Sequence, residues 1–271
     1  MSTFLPSSIN FDSNADANTD SVISYTYDAS LRLTAELFDF DANGISDFVT
    51  SYGYDANNNL SSVSTDFGAD GILDSFTTYT YDASLRLTAE LSDFDANGIL
   101  DSVTSYGYDA NNNLSSVSTD FGADGILDSF TTYTYDASLR LTAELSDFDA
   151  NGILDFVASY GYDVNNNLSS ISTDFGADGI LDSVTSYGYD ANNNLSSVST
   201  DLGADGILDS VISYIYDDSL QLITAELSDF DANGIWDSVT SYGYDANNNL
   251  SSISTDIGAD GILDSVISYT V

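Results

Sequence analysis

The sequence predicts an all-β protein built from tandem 27-residue β-hairpin repeats, forming a solenoid or spiral sheet with an acidic loop between successive hairpins. Three observations predict this. The dipeptide Tyr-Asp recurs at Tyr27, Tyr54, Tyr81, Tyr108, Tyr135, Tyr162, Tyr189, Tyr216 and Tyr244, in steps of 27 residues seven times and 28 once. Within each repeat, stretches rich in Val, Thr and Tyr alternate with the two-residue period of a strand. Between them stand Asn, Asp and Gly, which bond their own backbone or tolerate left-handed geometry in turns. A fixed period of this length marks a supersecondary unit that buries its surface against its neighbours. The chain therefore reads as a single repeat domain over residues 1–271, ten units long.

The first strand of each unit is typified by DSVTSYGY at 101–108, where Ser102, Thr104, Tyr106 and Tyr108 share one face and Val103, Ser105 and Gly107 the other. A turn follows, and then a second strand that exists in two versions. In type A the run is YDASLRLTAELSD, with Leu85, Leu87, Ala89 and Leu91 on one face and Arg86, Thr88 and Glu90 on the other. Arg86 and Glu90 are expected to form a surface pair. In type B the run is YDANNNLSSVSTD, and Tyr-Asp is expected to close the hairpin turn. The one break in period is an extra residue in SLQLITAEL, placed most simply at Ile223. All nineteen tyrosines occupy two positions of the first strand, which reads as a stacked sheet face.

The repeat YDANNNLSSVSTD resembles the YD repeat of the RHS and teneurin families: Tyr-Asp, a short turn, then an apolar residue opening a second strand. The resemblance runs from about residue 7 to 271, with nine matches in register. It departs from those families where their turn glycine is replaced by Asn58 or Asn112 in type B, and by Leu85 or Leu139 in type A. The resemblance implies a β-sheet used as shell wall or extracellular rod, without the toxin, protease or core-associated segments of those families.

The loop between hairpins carries the chemistry. One form reads DFDANG-x-x-D, with Asp39, Asp41, Asn43 and Asp47; Asp93, Asp95, Asn97 and Asp101; Asp147, Asp149, Asn151 and Asp155; and Asp229, Asp231, Asn233 and Asp237. The other reads D-x-GADG-x-x-D, with Asp66, Asp70 and Asp74; Asp120, Asp124 and Asp128; Asp174, Asp178 and Asp182; Asp201, Asp205 and Asp209; and Asp256, Asp260 and Asp264. A degenerate first loop offers Asp12, Asn14, Asp16 and Asp20. Oxygen-bearing side chains at alternate positions, with glycine at the sixth, resemble the first nine positions of the EF-hand calcium loop. The bidentate Glu at the twelfth position is replaced by Thr50, Thr77 or Thr104, so the match is to helix-free DxDxDG loops. Calcium is thus the expected cofactor, because several carboxylates within nine residues repel one another without a cation. Loops with Asp at the third position are expected to hold it better than those with Gly68, Gly122, Gly176, Gly203 or Gly258.

Charge excludes other functions. Forty-four acids against three bases, Arg32, Arg86 and Arg140, give a formal charge of −41. Phosphate binding needs clustered cations, so nucleic acid is not an expected partner. Without Cys or His the chain lacks thiol and imidazole catalysis, and no repeat departs from the others as a catalytic site would; no enzyme is expected. At 42% apolar and 13% aromatic residues the chain is too rich in hydrophobes for a solvated tail. No apolar run approaches a membrane span, and MSTFLPSSIN lacks the basic and apolar regions of a cleaved signal peptide. Asn59, Asn113, Asn167, Asn194 and Asn249 each begin Asn-Leu-Ser, so glycans are a further partner to test. In repeat register SSINFD at 7–12 matches a second strand, and DSVISYTV at 264–271 a first strand. Each end is half a hairpin, which suggests either a closed ring or a head-to-tail homopolymer. The expected role is a calcium-stabilised extracellular structural protein, a subunit of a filament or matrix. The alternative is a calcium-dependent adhesin or carbohydrate-binding array using the tyrosine face.

Overall fold

A computed structural model describes residues 6–13, 18–217, 219 and 222–269. The described residues are all strand, turn and loop, as the alternation requires. They fall into two compact units, Met1–Thr131 with Phe148–Asn151, and Thr132–Asp147 with Gly152–Val271.

In the first unit, strands follow one another as an antiparallel meander from Ser8–Phe11 to Leu114–Phe121. The second unit repeats the arrangement from Leu141–Asp147 to Ser265–Ser268. Pairing is longer inside a hairpin than between hairpins. Ser102–Tyr108 meets Leu114–Phe121 from Ser102↔Phe121 to Tyr108↔Leu114, whereas it meets the preceding hairpin only from Ser102↔Ser92 to Ser105↔Ala89. A bulge between Gly107 and Tyr108 ends the longer ladder beside the hairpin turn. Bulges of this kind re-aim the side chain that follows them.

The hairpin turn explains Tyr-Asp. In type B, Asp55 Oδ1 accepts from the backbone N–H groups of Asn57 and Asn59 at 2.9 and 2.8 Å. In type A, Asp82 Oδ1 accepts from Ser84 and Arg86 at 2.8 and 3.1 Å. The turn then needs one left-handed residue, at the position where the resembling families place glycine. That residue is Asn58 (φ 70°) or Asn112 (φ 71°) in type B, and Leu85 (φ 63°) or Leu139 (φ 64°) in type A. Asn adopts this region readily, whereas Leu does so at a cost. Leu85 therefore belongs to the turn and not to the strand face: the strand opens at Leu87, and Leu85 is exposed. The extra residue of the irregular repeat is also in this turn. Ile223 takes the strand-opening place of Leu87, pairing with Tyr216 as Leu87 pairs with Tyr81. The surplus lies instead between Asp217 and Leu222, whose backbone bond spans one residue more than that between Asp82 and Arg86.

Cross-strand partners account for the two repeat versions. Gly107 faces Ser116 in type B, and Thr80 faces Ala89 in type A. A Cβ added at Gly107 would collide with Ser116 Oγ. At this position a β-branched residue stands opposite Ala, Thr80 in one repeat and Ile215 in another, whereas Gly stands opposite Ser. Each version is a matched pair of strands. Neither unit closes over an apolar core: among the described residues only Ala158 is a fully buried hydrophobe, at 2% exposure. Apolar side chains on both sheet faces are mostly half-buried.

Candidate metal centres in the acidic loops

The most consistently buried residue type is an acid. The first Asp of every complete loop is buried, from Asp39 and Asp66 through Asp229 and Asp256. It closes the hairpin's second strand and immediately starts the loop, so its carboxylate faces the loop backbone. In the loop 93–101, Asp93 Oδ1 accepts from Asn97 N–H at 3.1 Å and Oδ2 from Gly98 N–H at 2.7 Å. Asp101 Oδ2 accepts from Phe94 N–H at 2.7 Å, and the Asp101 N–H donates to the Ser92 carbonyl at 2.8 Å. Gly98, at φ 88°, is the sharp turn that returns the chain to Asp93.

This folding brings carboxylates together. Oxygens of Asp93, Asp95 and Asp101 lie within 4.8 Å of one another, as do those of Asp39, Asp41 and Asp47, and those of Asp229, Asp231 and Asp237. Such clusters could coordinate a metal ion. At Asp229 burial opposes ionisation, but hydrogen bonds from Gly234 and Asn233 outweigh it and hold the carboxyl below its ordinary value. Asp95 is also held low, first by its bond with the Asn97 side chain. The fifth-position oxygens are engaged locally: Asn97 Oδ1 accepts from Ile99 N–H, as Asn43 Oδ1 does from Ile45 and Asn233 Oδ1 from Ile235, each at 2.8 Å.

The remaining expected ligands fare differently. Glycine-type loops keep the frame: Asp120 accepts from Asp124 and Gly125, and Asp128 from Phe121. The sets Asp66/Asp70/Asp74, Asp120/Asp124/Asp128, Asp174/Asp178/Asp182, Asp201/Asp205/Asp209 and Asp256/Asp260/Asp264 do not gather three carboxylates in this way among the described residues. Their third residue does another job. Gly122, at φ 84°, donates its N–H to the carbonyl of Asp101 in the preceding loop at 2.5 Å, and Gly68 does the same to Asp47 at 2.6 Å. The loop 147–155 contributes Phe148–Asn151 to one unit and its remainder to the other. Within each part, Gly152 N–H reaches Asp147 at 2.7 Å and Asn151 N–H reaches Asp149 at 3.3 Å. In the first loop Asn14 and Asp16 lie outside the described residues, as does part of the segment joining Asp12 to Asp20. Asp20 there accepts from the Ser13 N–H and hydroxyl at 2.7 and 2.5 Å.

The opposite, hairpin-turn edge holds features that the sequence did not disclose. Tyr108 Oη donates to the Leu87 carbonyl of the preceding repeat at 2.8 Å, and Tyr54, Tyr81 and Tyr189 repeat the bond to Leu33, Leu60 and Leu168. The strict recurrence of this tyrosine was the available signal. The expected pair of Arg86 with Glu90 does not form. Arg86 instead binds Asp82 through Nε and Nη2, lies 4.4 Å over the Tyr108 ring, and donates to Asn112 Oδ1 at 2.8 Å. The guanidinium is too well matched to its own turn to reach along the strand. Glu36, the counterpart of Glu90, accepts from Tyr52 Oη at 2.7 Å. The sequon asparagines are also committed: Asn59 Nδ2 donates to Asp55 Oδ2 at 2.9 Å, and Asn113 and Asn167 to Asp109 and Asp163 at 3.0 Å. The nitrogen that a glycan would use is holding the turn.

At the loop edge the second and seventh positions are apolar and exposed, as with Phe40 at 63% and Ile45 at 72%. Among the described residues no cavity opens.

No family model matches the chain, and no curated protein matches it. Solved structures do. The TcdB2–TccC3–Cdc42 complex aligns at 16% identity and TM-score 0.59 over 93% of this chain and 15% of that one. TcdB2–TccC3 without its hypervariable C-terminal region aligns at 16% identity and TM-score 0.59 over 97% and 16%. The chain spans about one-sixth of the length of these proteins. The likeness is one of fold, an all-β chain of tandem hairpins.

Proposed function

We propose that this chain is a calcium-stabilised structural repeat protein that works outside the cell, as wall, filament or matrix material built with further copies of itself. The observation that carries the reading is the loop triad typified by Asp93, Asp95 and Asp101: three carboxylates within 4.8 Å, one of them buried, in a chain of formal charge −41. Calcium suits such a donor set, being a hard cation that takes oxygen ligands in flexible geometry. Without the bidentate twelfth-position Glu, each site should be weak, with dissociation constants on the order of 10⁻⁴ to 10⁻³ M, the range of extracellular modules. That range supports a location where calcium is abundant. Self-association is supported by the exposed apolar residues of the loop edge and by the half-buried apolar side chains of the sheet faces. The adhesin alternative has less support, since the Tyr-Asp hydroxyls are spent on backbone carbonyls.

Circular dichroism and hydrodynamic radius, measured at low salt with calcium and with a chelator, test the reading. Expansion and loss of strand signal on chelation are expected, because the loop carboxylates then repel within their own turns. Identical spectra and radii under both conditions would overturn it.

A further inference from the structure

The loops that carry carboxylate triads share a second peculiarity: the residue before their turning glycine is asparagine, as in Asn43-Gly44, Asn97-Gly98 and Asn233-Gly234, with Asn151-Gly152 alike in sequence. Glycine-type loops have aspartate there, as in Asp70-Gly71 and Asp124-Gly125. We propose that these Asn-Gly pairs are deamidation sites gated by the loop itself, protected while it is closed and converted when it opens.

Asparagine is chemically labile, and a following glycine, having no Cβ, leaves the side-chain carbonyl carbon open to the next backbone nitrogen. The glycine nitrogen bonds to the asparagine Cγ, its proton passes through solvent to the departing amide, and ammonia leaves a five-membered succinimide. Water then opens either carbonyl, giving aspartate or isoaspartate. One water is consumed, one ammonia is released, nothing is oxidised or reduced, and a carboxylate replaces an amide.

In the closed loop both reacting groups are occupied. The Gly98 N–H donates to Asp93 Oδ2 at 2.7 Å, and Asp93 is only 6% exposed. The Asn97 side chain is fixed by the bond its Oδ1 accepts from Ile99 N–H at 2.8 Å. The same two bonds hold Gly44 to Asp39 with Asn43 to Ile45, and Gly234 to Asp229 with Asn233 to Ile235. Exposure does not supply the protection, since Asn43 and Asn97 are not buried. Protection must come from geometry: the nitrogen has to leave its acceptor before it can turn on Cγ.

The fold already contains the aspartyl product. At Asp124 the corresponding bonds persist: its N–H to Asp120 Oδ1 at 3.1 Å, Gly125 N–H to Asp120 Oδ2 at 2.8 Å, and Ile126 N–H to Asp124 Oδ1 at 2.9 Å. Conversion of Asn97 to aspartate therefore keeps the loop and adds a fourth carboxylate to the triad. Isoaspartate inserts a methylene into the main chain between Asp93 and Gly98, so the two bonds to Asp93 cannot both survive. Either product records in covalent form that the loop has been open. The gate is made of hydrogen bonds and does not require calcium, although a bound ion would tighten it.

The test holds the full chain in warm, mildly alkaline buffer in three arms: calcium, chelator, and concentrated urea. Peptide mass mapping follows Asp and isoAsp at each asparagine. In urea the Asn-Gly sites should convert ahead of Asn57, Asn58 and Asn59, which are not followed by glycine. In the calcium arm they should convert roughly tenfold or more slowly, because only the opened fraction reacts. Equal rates in all three arms overturn the proposal. Equal rates with calcium and chelator, both slower than urea, support the gate while removing the calcium reading. Asp93→Ser sharpens the test: acceleration at Asn97 alone supports the gate, and an unchanged rate there overturns it. Acceleration at every Asn-Gly site would mark a lost fold, and is the closed-to-open contrast expected.

Discussion

Tyr108 Oη donates a hydrogen bond to the backbone carbonyl of Leu87, the residue that opens the second strand of the preceding hairpin. The same phenol at Tyr54, Tyr81, Tyr162, Tyr189, Tyr216 and Tyr244 likewise ties the turn edge of its own hairpin to the hairpin before it. Tyr108→Phe should keep the ring's contact with Arg86 and lose only this bond, costing about 0.5–1.5 kcal/mol. Tyr108→Leu should cost more, since the face beneath the guanidinium goes as well. Urea denaturation of both variants checks this. Indistinguishable midpoints for wild type and Tyr108→Phe would show that the staple contributes nothing.

Repeat versions should not interchange one residue at a time. Gly107→Thr places a side chain against Ser116 Oγ and should destabilise by about 1–3 kcal/mol, the usual range for overpacking. Ser116→Ala recreates the Thr80–Ala89 arrangement across the pair and should recover much of the loss. A double-mutant cycle reads the coupling, which for touching residues is expected above about 0.5 kcal/mol. Simple additivity would mean that the two versions are not sterically matched.

Both ends of the pH scale should unfold the protein for identifiable reasons. Burial, and next the hydrogen bond to Glu36, push the Tyr52 phenol up to about 12. The raised value means that its contribution is complete below the unfolded value near ~10 and is lost as pH climbs through the folded one. Glu36→Gln should let Tyr52 ionise earlier, seen as phenolate absorbance. At the acid end, the Arg86 side chain holds Asp82 low, and the Asn113 side chain does the same for Asp109. These contributions are present above about pH 3.9 and vanish as pH falls through the depressed values. An acid transition that begins well above that point would assign the loss to other groups.

If the loops hold calcium as proposed, they should not do so equally. Asp95→Gly converts a triad loop to the glycine form at its third position and should remove one of the stronger sites in a calorimetric titration. Gly122→Asp should not create one cleanly, because φ 84° is unfavourable for Asp and the bond to the Asp101 carbonyl depends on that backbone. Equal affinity at both loop types would refute the count of side-chain ligands as the deciding factor.

The sequence by itself determined the strands, the turns and the loops, because each depends on local chemistry. Alternation sets strands; Asp55 and Asp82 close turns with N–H groups two and four residues on; the glycine of each loop folds nine residues back on themselves. The left-handed places of Asn58 and Leu85 were marked only by the family resemblance, whose turn glycine they replace, while alternation alone put Leu85 on the strand. What joins one repeat to the next was decided only by tertiary structure. The Tyr108–Leu87 and Gly122–Asp101 bonds end on backbone carbonyls, which leave no mark on composition or spacing. Arg86 had an acid four residues away on either side, and strand alternation favoured Glu90. The turn bends Asp82 under the guanidinium and brings the next repeat's Tyr108 over it, so Asp82 is the partner. The triad was settled in the same way: nine residues name the acids, but only the left-handed backbone at Gly122 turns the third position of one loop type from ligand into strut.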